Sequence, residues 1–203
     1  MEAVRQTGCR VTGITVSAAQ HGYARELVRK AGMEELITIL IRDYRAITGV
    51  FDKIVSIEML EAVGHRYFGT FFRCCENLLK QGGLMVLQTI TIPDGHYDRY
   101  RKGTDWIQKH IFPGGHLPSL AAIRRATAAH SSLAINDVEE IGLDYALTLW
   151  EWRRRFLENI DTVSHMGFDR KFRRKWLYYF ACCEAGFAAR ALGNVQIVLS
   201  RPE

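Results

Sequence analysis

Phe51–Ile57 reads FDKIVSI, continues as EMLEAVG over 58–64, and after a helical stretch meets GGLMVLQTITI at 82–92. Residues 51–57 and 84–91 are short runs rich in Val, Ile and Leu, the pattern of strands buried on both faces of a parallel sheet. Between them Leu60, Val63, Phe68, Phe71, Phe72, Leu78 and Leu79 recur at helical spacing. Strand, helix, strand predicts a right-handed crossover. In open sheets of this kind chemistry sits just beyond the carboxyl ends of the strands. Those positions hold Glu58 and Glu61 after one strand, and Gln88 to Ile92 at the end of the other.

The alternation extends to both sides. Residues 10–16 form a strand, and Ser17 caps a helix with Gln20 completing a capping box and Gly32 ending it. Residues 36–41 form the next strand, with Asp43-Tyr44-Arg45 at its carboxyl end. Residues 93–118, rich in Gly, Asp, Tyr and Arg, break the pattern and read as an insertion or lid. A helix over 119–130, a strand over 134–141, two long helices from about Asp144 and a strand over 195–200 complete the chain. The expected architecture is α/β, doubly wound, with a mostly parallel sheet in one domain spanning 1–203.

Composition fits that class. The chain has 203 residues, 48% hydrophobic and 24% charged, as in an ordinary globular domain. No stretch approaches transmembrane length and no signal-peptide pattern opens the chain. The cysteines Cys9, Cys74, Cys75, Cys182 and Cys183 form two adjacent pairs and a single, without zinc-ligand spacing. Reduced thiols in a cytoplasmic setting are expected, and no metal. A net charge of +5 favours an anionic partner. With no nucleic-acid-binding motif in the sequence, an anionic membrane surface, peripherally engaged, is preferred to nucleic acid.

Seven stretches carry a resemblance: VTGITVSAAQ (11–20), DYR (43–45), FDKIVSIEMLEAVG (51–64), LQTITI (87–92), HIFPGGHLPS (110–119), LDYALTLWEW (143–152) and YYFACCEAGFAAR (178–190). In these, and in their order, the chain resembles the cyclopropane-fatty-acid synthase family, also called the mycolic acid cyclopropane synthase family. These are class I, Rossmann-like methyltransferases that use S-adenosylmethionine. The family's first strand and its glycine-rich loop, typically DIGCGWGG, have no counterpart here. MEAVRQTGCRV reads as the tail of the first helix entering the second strand, so an N-terminally truncated domain is expected, with the methionine half of the cofactor poorly held.

The resemblance implies the sites. Thr15, Val16, Ser17 and Gln20 match one adenosine-binding block and Asp43, Tyr44 and Arg45 another. Asp43 would accept from the adenine amino group while Tyr44 covers the ring. For catalysis, methyl transfer to an alkene creates a carbocation, and closing a cyclopropane requires loss of a proton. The family uses a bound bicarbonate as base, whose holders match Glu61, Tyr145 and the backbone at Ile90. Where many members have His, Gln88 stands here, able to donate but not to titrate. Cys183 matches a family cysteine regarded as an active-site residue. Read from its own surroundings, it lies in the helical stripe Phe168, Phe172, Trp176, Phe180, Cys183, Phe187 and is a small buried hydrophobe.

The expected substrate is an unsaturated acyl chain of a membrane phospholipid, received by lid and acyl-pocket elements at 93–118 and 144–192. Trp150, Trp152, Phe156, Trp176, Tyr179 and Phe180 supply apolar wall. Arg153, Arg154, Arg155, Arg170, Lys171, Arg173, Arg174 and Lys175 are expected to face headgroups. A homodimer is the assembly expected. Two alternatives stay open: methylation without ring closure, and a lipid-binding fragment with impaired catalysis.

Overall fold

The computed structural model describes residues 1–203, which divide into two compact units, 1–49 and 50–203. In the first unit, α1 (Glu2–Thr7) is followed by the strand β1 (Val11–Thr15), the helix α2 (Ala18–Lys30) and the strand β2 (Ile37–Ile41). The two strands pair in parallel, Val11 opposite Ile37 and Thr15 opposite Ile41, with α2 as the crossover. Val4, Val28 and Ile37 form a small core flanked by Val11, Met33, Leu36 and Ile39. Ser17 caps α2 as expected, accepting from the Gln20 N–H at 3.3 Å. The other half of the predicted box does not form. The Gln20 side chain accepts from Thr15 Oγ1 at 2.7 Å, and the Ser17 N–H donates to Thr15 Oγ1 instead. A hydroxyl two residues upstream outcompetes the capping residue's own amide.

The second unit holds a four-stranded sheet in the order β3 (Phe51–Ile57), β4 (Leu79–Thr91), β6 (Gly193–Ser200), β5 (Ala134–Glu140). β3 and β4 run parallel, as the crossover predicted, while β6 lies antiparallel to both β4 and β5. With the β1–β2 pair, two of the four strand pairings are parallel and two antiparallel. The connection between β3 and β4 is not one helix. Gly64, at φ 80° and ψ 150°, divides it into α3 (Leu60–Val63), a 3-10 turn and α4 (Phe68–Leu78). β4 starts five residues earlier than its apolar run, so Gly82 and Gly83 lie inside the strand. The register slips there between the Phe51–Leu79 and Lys53–Leu84 pairs, a bulge that the φ of 69° at Gly82 permits.

β4 is sealed on one face, at Met85, Leu87 and Thr89, and only partly covered on the other, where Leu84 is 37% exposed. β3 is not buried on both faces: as an edge strand it leaves Val55 67% and Ile57 54% exposed. Phe68, Phe71 and Phe72 of α4 fill the core beneath the sheet, and α7 (Leu120–His130) packs on α4. Residues 93–118 carry α5 (Asp94–Tyr100) and α6 (Trp106–His110). After β5 come three helices where two were expected: α8 (Gly142–Glu158), α9 (Ile160–His165) and α10 (Arg170–Ala188). The breaks fall at Asn159, between α8 and α9, and at Gly167, whose φ is 91°, between α9 and α10. α8 packs along α10, and Ala146, Leu149, Tyr179, Phe180, Cys183 and Phe187 form the core between them.

Candidate active site

β3 ends on a strained residue. Glu58 adopts φ 51°, a left-handed conformation that non-glycine residues avoid at a cost of roughly 1 kcal/mol. Its N–H donates to the Gln88 carbonyl at 2.8 Å, which turns the chain and sends the side chain across the strand ends. Three neutral donors from three other elements converge on its carboxylate. Tyr145, in the first turn of α8, donates to Oε2 at 2.8 Å. Gln88 of β4 donates to Oε1 at 3.1 Å and Asn194 of β6 at 3.0 Å.

The register of the sheet explains the convergence. Gln88 pairs across β4 and β6 with Gln196, and Ile90 with Asn194, so the polar residues share one face. Gln196 Nε2 donates to Gln88 Oε1 at 2.9 Å, which fixes the Gln88 amide with its nitrogen toward Glu58. Glu140 Oε1 accepts from both the Gly142 and Asn194 N–H groups, tying the start of α8 to the start of β6. A Cβ on Gly142 would sit 2.6 Å from Glu140 Oε1, so a larger residue there would push the carboxylate aside. Burial and the Glu58 carboxylate together hold the Tyr145 phenol well above its ordinary pKa, as a donor.

Glu61 and Ile90 do come together, but with each other: Glu61 Oε1 accepts from the Ile90 N–H at 2.5 Å. The second oxygen, Oε2, is buried without a partner. Burial raises the Glu61 carboxyl above the usual range, with the Ile90 N–H acting against it. The carbonyl of Glu61 accepts from the His116 N–H at 2.7 Å, and Gln108 Nε2 donates to the Gly115 carbonyl at 2.7 Å. The expected turn at Phe112–Gly115 forms with a Gly115 to Phe112 bond and docks beside Glu61.

Cys183 lies in the aromatic layer between α8 and α10, where burial pushes its thiol up to about 12. An enclosed thiol held protonated by burial is a poor nucleophile. The Tyr145 ring rests edge-on against Phe187 at 5.0 Å, so the same layer positions the phenol.

In the first unit, the candidate cofactor residues stand at the adjoining carboxyl ends of β1 and β2, where Thr15 and Ile41 are register partners. Thr15, Ser17 and Gln20 form one hydrogen-bonded loop, with Val16 78% exposed beside it. Asp43 already has a partner of its own. Arg45 donates to it through its backbone, Nε and Nη2, holding the carboxyl at about 2. The Arg45 guanidinium lies 5.7 Å from the Tyr44 ring centroid. Asp43 is thus a permanent carboxylate, partly shielded by its own neighbour.

The expected cationic face is only half available. Arg153 pairs with Glu184 and Arg155 with Glu151, while Arg154 pairs with both Glu151 and Glu158. Arg173 donates to Ser164. Arg170, Lys171, Arg174 and Lys175 make no ion pair, and line an open cleft of about 740 Å³ with Trp106, His110, Asp169 and Tyr178.

Two residues of the Glu58 cluster escaped the sequence reading as site members. Asn194 and Gln196 alternate in NVQIV, which marks a polar face on a strand otherwise apolar, the signal that was there to use. Glu58 itself was visible at the strand mouth, but its role as the hub depends on pairing 58 with 88, 145 and 194.

Residues 1–197 match the family model described as mycolic acid cyclopropane synthetase. The tuberculostearic acid methyltransferase UfaA1 of Mycobacterium tuberculosis is 41% identical over 194 residues, 96% of this chain and 45% of that protein. The cyclopropane-fatty-acyl-phospholipid synthase of Escherichia coli K12 is 36% identical over 191 residues, 94% of this chain and 47% of that one. This chain therefore spans about half the length of these relatives. Among solved structures, mycolic acid cyclopropane synthase CmaA1 complexed with SAH and CTAB superposes with a TM-score of 0.89. Identity there is 25%, covering 98% of this chain and 72% of that one. The fold is that of class I methyltransferases, and the chain belongs to the mycolic acid cyclopropane synthetase family.

Proposed function

We propose that this chain forms the cofactor- and acyl-handling part of an S-adenosylmethionine-dependent methyltransferase. Its acceptor is a carbon–carbon double bond in an unsaturated acyl chain of a membrane phospholipid, and its product a cyclopropane fatty acid. The observation that carries this reading is the Glu58 cluster, a carboxylate held by Tyr145, Gln88 and Asn194 against an aromatic layer. An anion beside an apolar wall suits a reaction in which an alkene becomes a cation and then loses a proton.

S-adenosylmethionine, when bound, supplies the methyl group. Thr15, Val16, Ser17, Gln20, Asp43 and Tyr44 would hold its adenosine half; their place at two adjoining parallel strand ends fits a nucleoside. Around the acyl chain, Tyr145, Phe187, Trp176 and Phe180 exclude water from the cation. Methylation without ring closure is the second reading, supported by the 41% identity to a protein named a methyltransferase rather than a synthase. The unpaired cations of α10 suit an anionic bilayer surface, and no helix is long and apolar enough to cross a membrane.

The test offers the 203-residue chain S-adenosylmethionine and vesicles whose phospholipids carry either unsaturated or saturated acyl chains. Transfer, slowed by the poorly held methionine half of the cofactor, is expected to unsaturated lipid alone. Equal transfer to both would remove the double bond from the account.

A further inference from the structure

A bicarbonate base, expected from the family resemblance, does not fit the residues present. It would have to take its hydrogen bonds from Tyr145, Gln88 and the Ile90 backbone. Tyr145 and Gln88 both donate to Glu58, and the Ile90 N–H donates to Glu61. The remaining polar neighbour, Asn194, is fully buried and also donates to Glu58. A third anion would enter beside two carboxyl groups with no free donor to hold it, which is unfavourable on charge and desolvation alike.

We propose that the Glu58 carboxylate occupies the place of that anion and is itself the base that removes the proton after methyl transfer. This rests on the reading of the chain as an acyl methyltransferase. Electrons and atoms balance without a further reactant. The alkene π pair takes the methyl carbon from the sulfonium, leaving one acyl carbon cationic and the cofactor as neutral S-adenosylhomocysteine. Glu58 accepts one proton from the new methyl carbon. The C–H pair closes onto the cationic carbon to form the ring; if a 1,2-hydride shift first moves the cation to the methylated carbon, the same pair forms a methylene branch, C=CH2, on the open chain. Glu58, now neutral, returns the proton to water.

Several features suit Glu58 to this part rather than Glu61. All its partners are neutral donors, so it keeps acceptor capacity and is oriented without being neutralised by a cation. Its left-handed φ is strain held in place by the Gln88 carbonyl and the three donors. Glu61, by contrast, has one oxygen committed to the Ile90 amide and the other enclosed.

Two measurements on the 203-residue chain test the inference. First, binding of 13C-labelled bicarbonate is followed by NMR for wild type, Glu58→Gly and Glu58→Gln. Glycine takes φ 51° without strain, so Glu58→Gly should fold, and glutamine preserves the shape. Wild type is expected to bind none saturably at millimolar concentration, and Glu58→Gly to gain a site that Tyr145→Phe then removes. Saturable wild-type binding lost on Tyr145→Phe, or no gain in either Glu58 variant, overturns the claim.

Second, methyl transfer to unsaturated phospholipid is measured in carbon-dioxide-free buffer. Undiminished wild-type turnover is expected, with at least a hundredfold loss in Glu58→Gln. Turnover restored to that wild type only by added bicarbonate overturns the base assignment. A wild type that transfers nothing in either buffer removes the function reading and the base assignment with it, and the NMR measurement still decides who holds the anion's place.

Discussion

Tyr145 Oη and Glu58 Oε2 meet at 2.8 Å across 87 residues of sequence, joining the first turn of α8 to the residue that ends β3. Either side chain alone is unremarkable. Together with Gln88 and Asn194 they make a half-buried carboxylate whose every partner is neutral.

Removing the phenol should therefore act on chemistry more than on the fold. Tyr145→Phe leaves Glu58 two donors and keeps the ring against Phe187, so a stability loss of about 1–3 kcal/mol is expected from the lost bond. Turnover should fall at least tenfold with cofactor affinity unchanged. Urea unfolding, calorimetry with the cofactor and turnover measured side by side check this; a loss of cofactor affinity matching the loss of turnover would move Tyr145 out of the acyl site.

The thiols give a prediction independent of turnover. Burial pushes both Cys75 and Cys183 up to about 12, whereas Cys9 and Cys182 are exposed. Iodoacetamide at mildly alkaline pH should label Cys9 and Cys182 quickly, and Cys75 and Cys183 only on unfolding. Cys183→Ser should cost about 1–2 kcal/mol by placing a hydroxyl in the aromatic layer, while sparing most of the activity. Peptide mass mapping reads the labelling; fast modification of Cys183 in the folded protein would restore a chemical role.

Acid sensitivity should arise around the docked turn. His65 Nδ1 and His116 Nε2 share the Tyr97 hydroxyl at 2.6 and 3.0 Å. Burial is the largest cause lowering both imidazoles; Arg101 and Arg125 add to it at His65, and the His65 and Arg101 charges at His116. The unfolded chain then binds more protons than the folded one below about pH 6.5, so stability falls as pH drops through that range. Glu61, raised by burial, has the opposite sign and acts lower, in the carboxyl range. Urea midpoints at pH 7.5 and 5.5 should differ in wild type, and the difference should shrink in His65→Gln with His116→Gln. An unchanged difference would place the acid-labile groups elsewhere.

Much of this organisation was legible in the sequence. The apolar runs at 51–57 and 84–91, the cap at Ser17 and the turn at Phe112–Gly115 are local signals, and each forms. The Glu58 cluster was not legible, because it joins four segments and depends on the β4–β6 register. The α8 arginines misled for a related reason. Glu151 and Glu158 lie three or four residues from Arg154 and absorb its charge within the helix, and Arg153 is absorbed by Glu184 of α10.

The unpaired cations then carry the membrane prediction. Lys171→Gln and Arg174→Gln should each weaken binding to phosphatidylglycerol-containing vesicles about fivefold, from about 1 kcal/mol per basic residue at a surface. Arg154→Gln, whose charge is already paired, should change binding little. Sedimentation with vesicles at low and high salt reads the difference. Equal effects at all three positions would mean that net charge alone, and not the cleft, attracts the surface.

The most direct test of the account follows the transferred carbon. The chain is incubated with S-adenosylmethionine labelled with 13C in its methyl group and with unsaturated phospholipid vesicles, and the lipid is examined by carbon NMR. The account predicts the label in the acyl chain, as a ring carbon or a methylene branch, with none on the headgroup. Label on a headgroup nitrogen or oxygen would contradict it, as would an unlabelled lipid when both cofactor and vesicles are shown to bind.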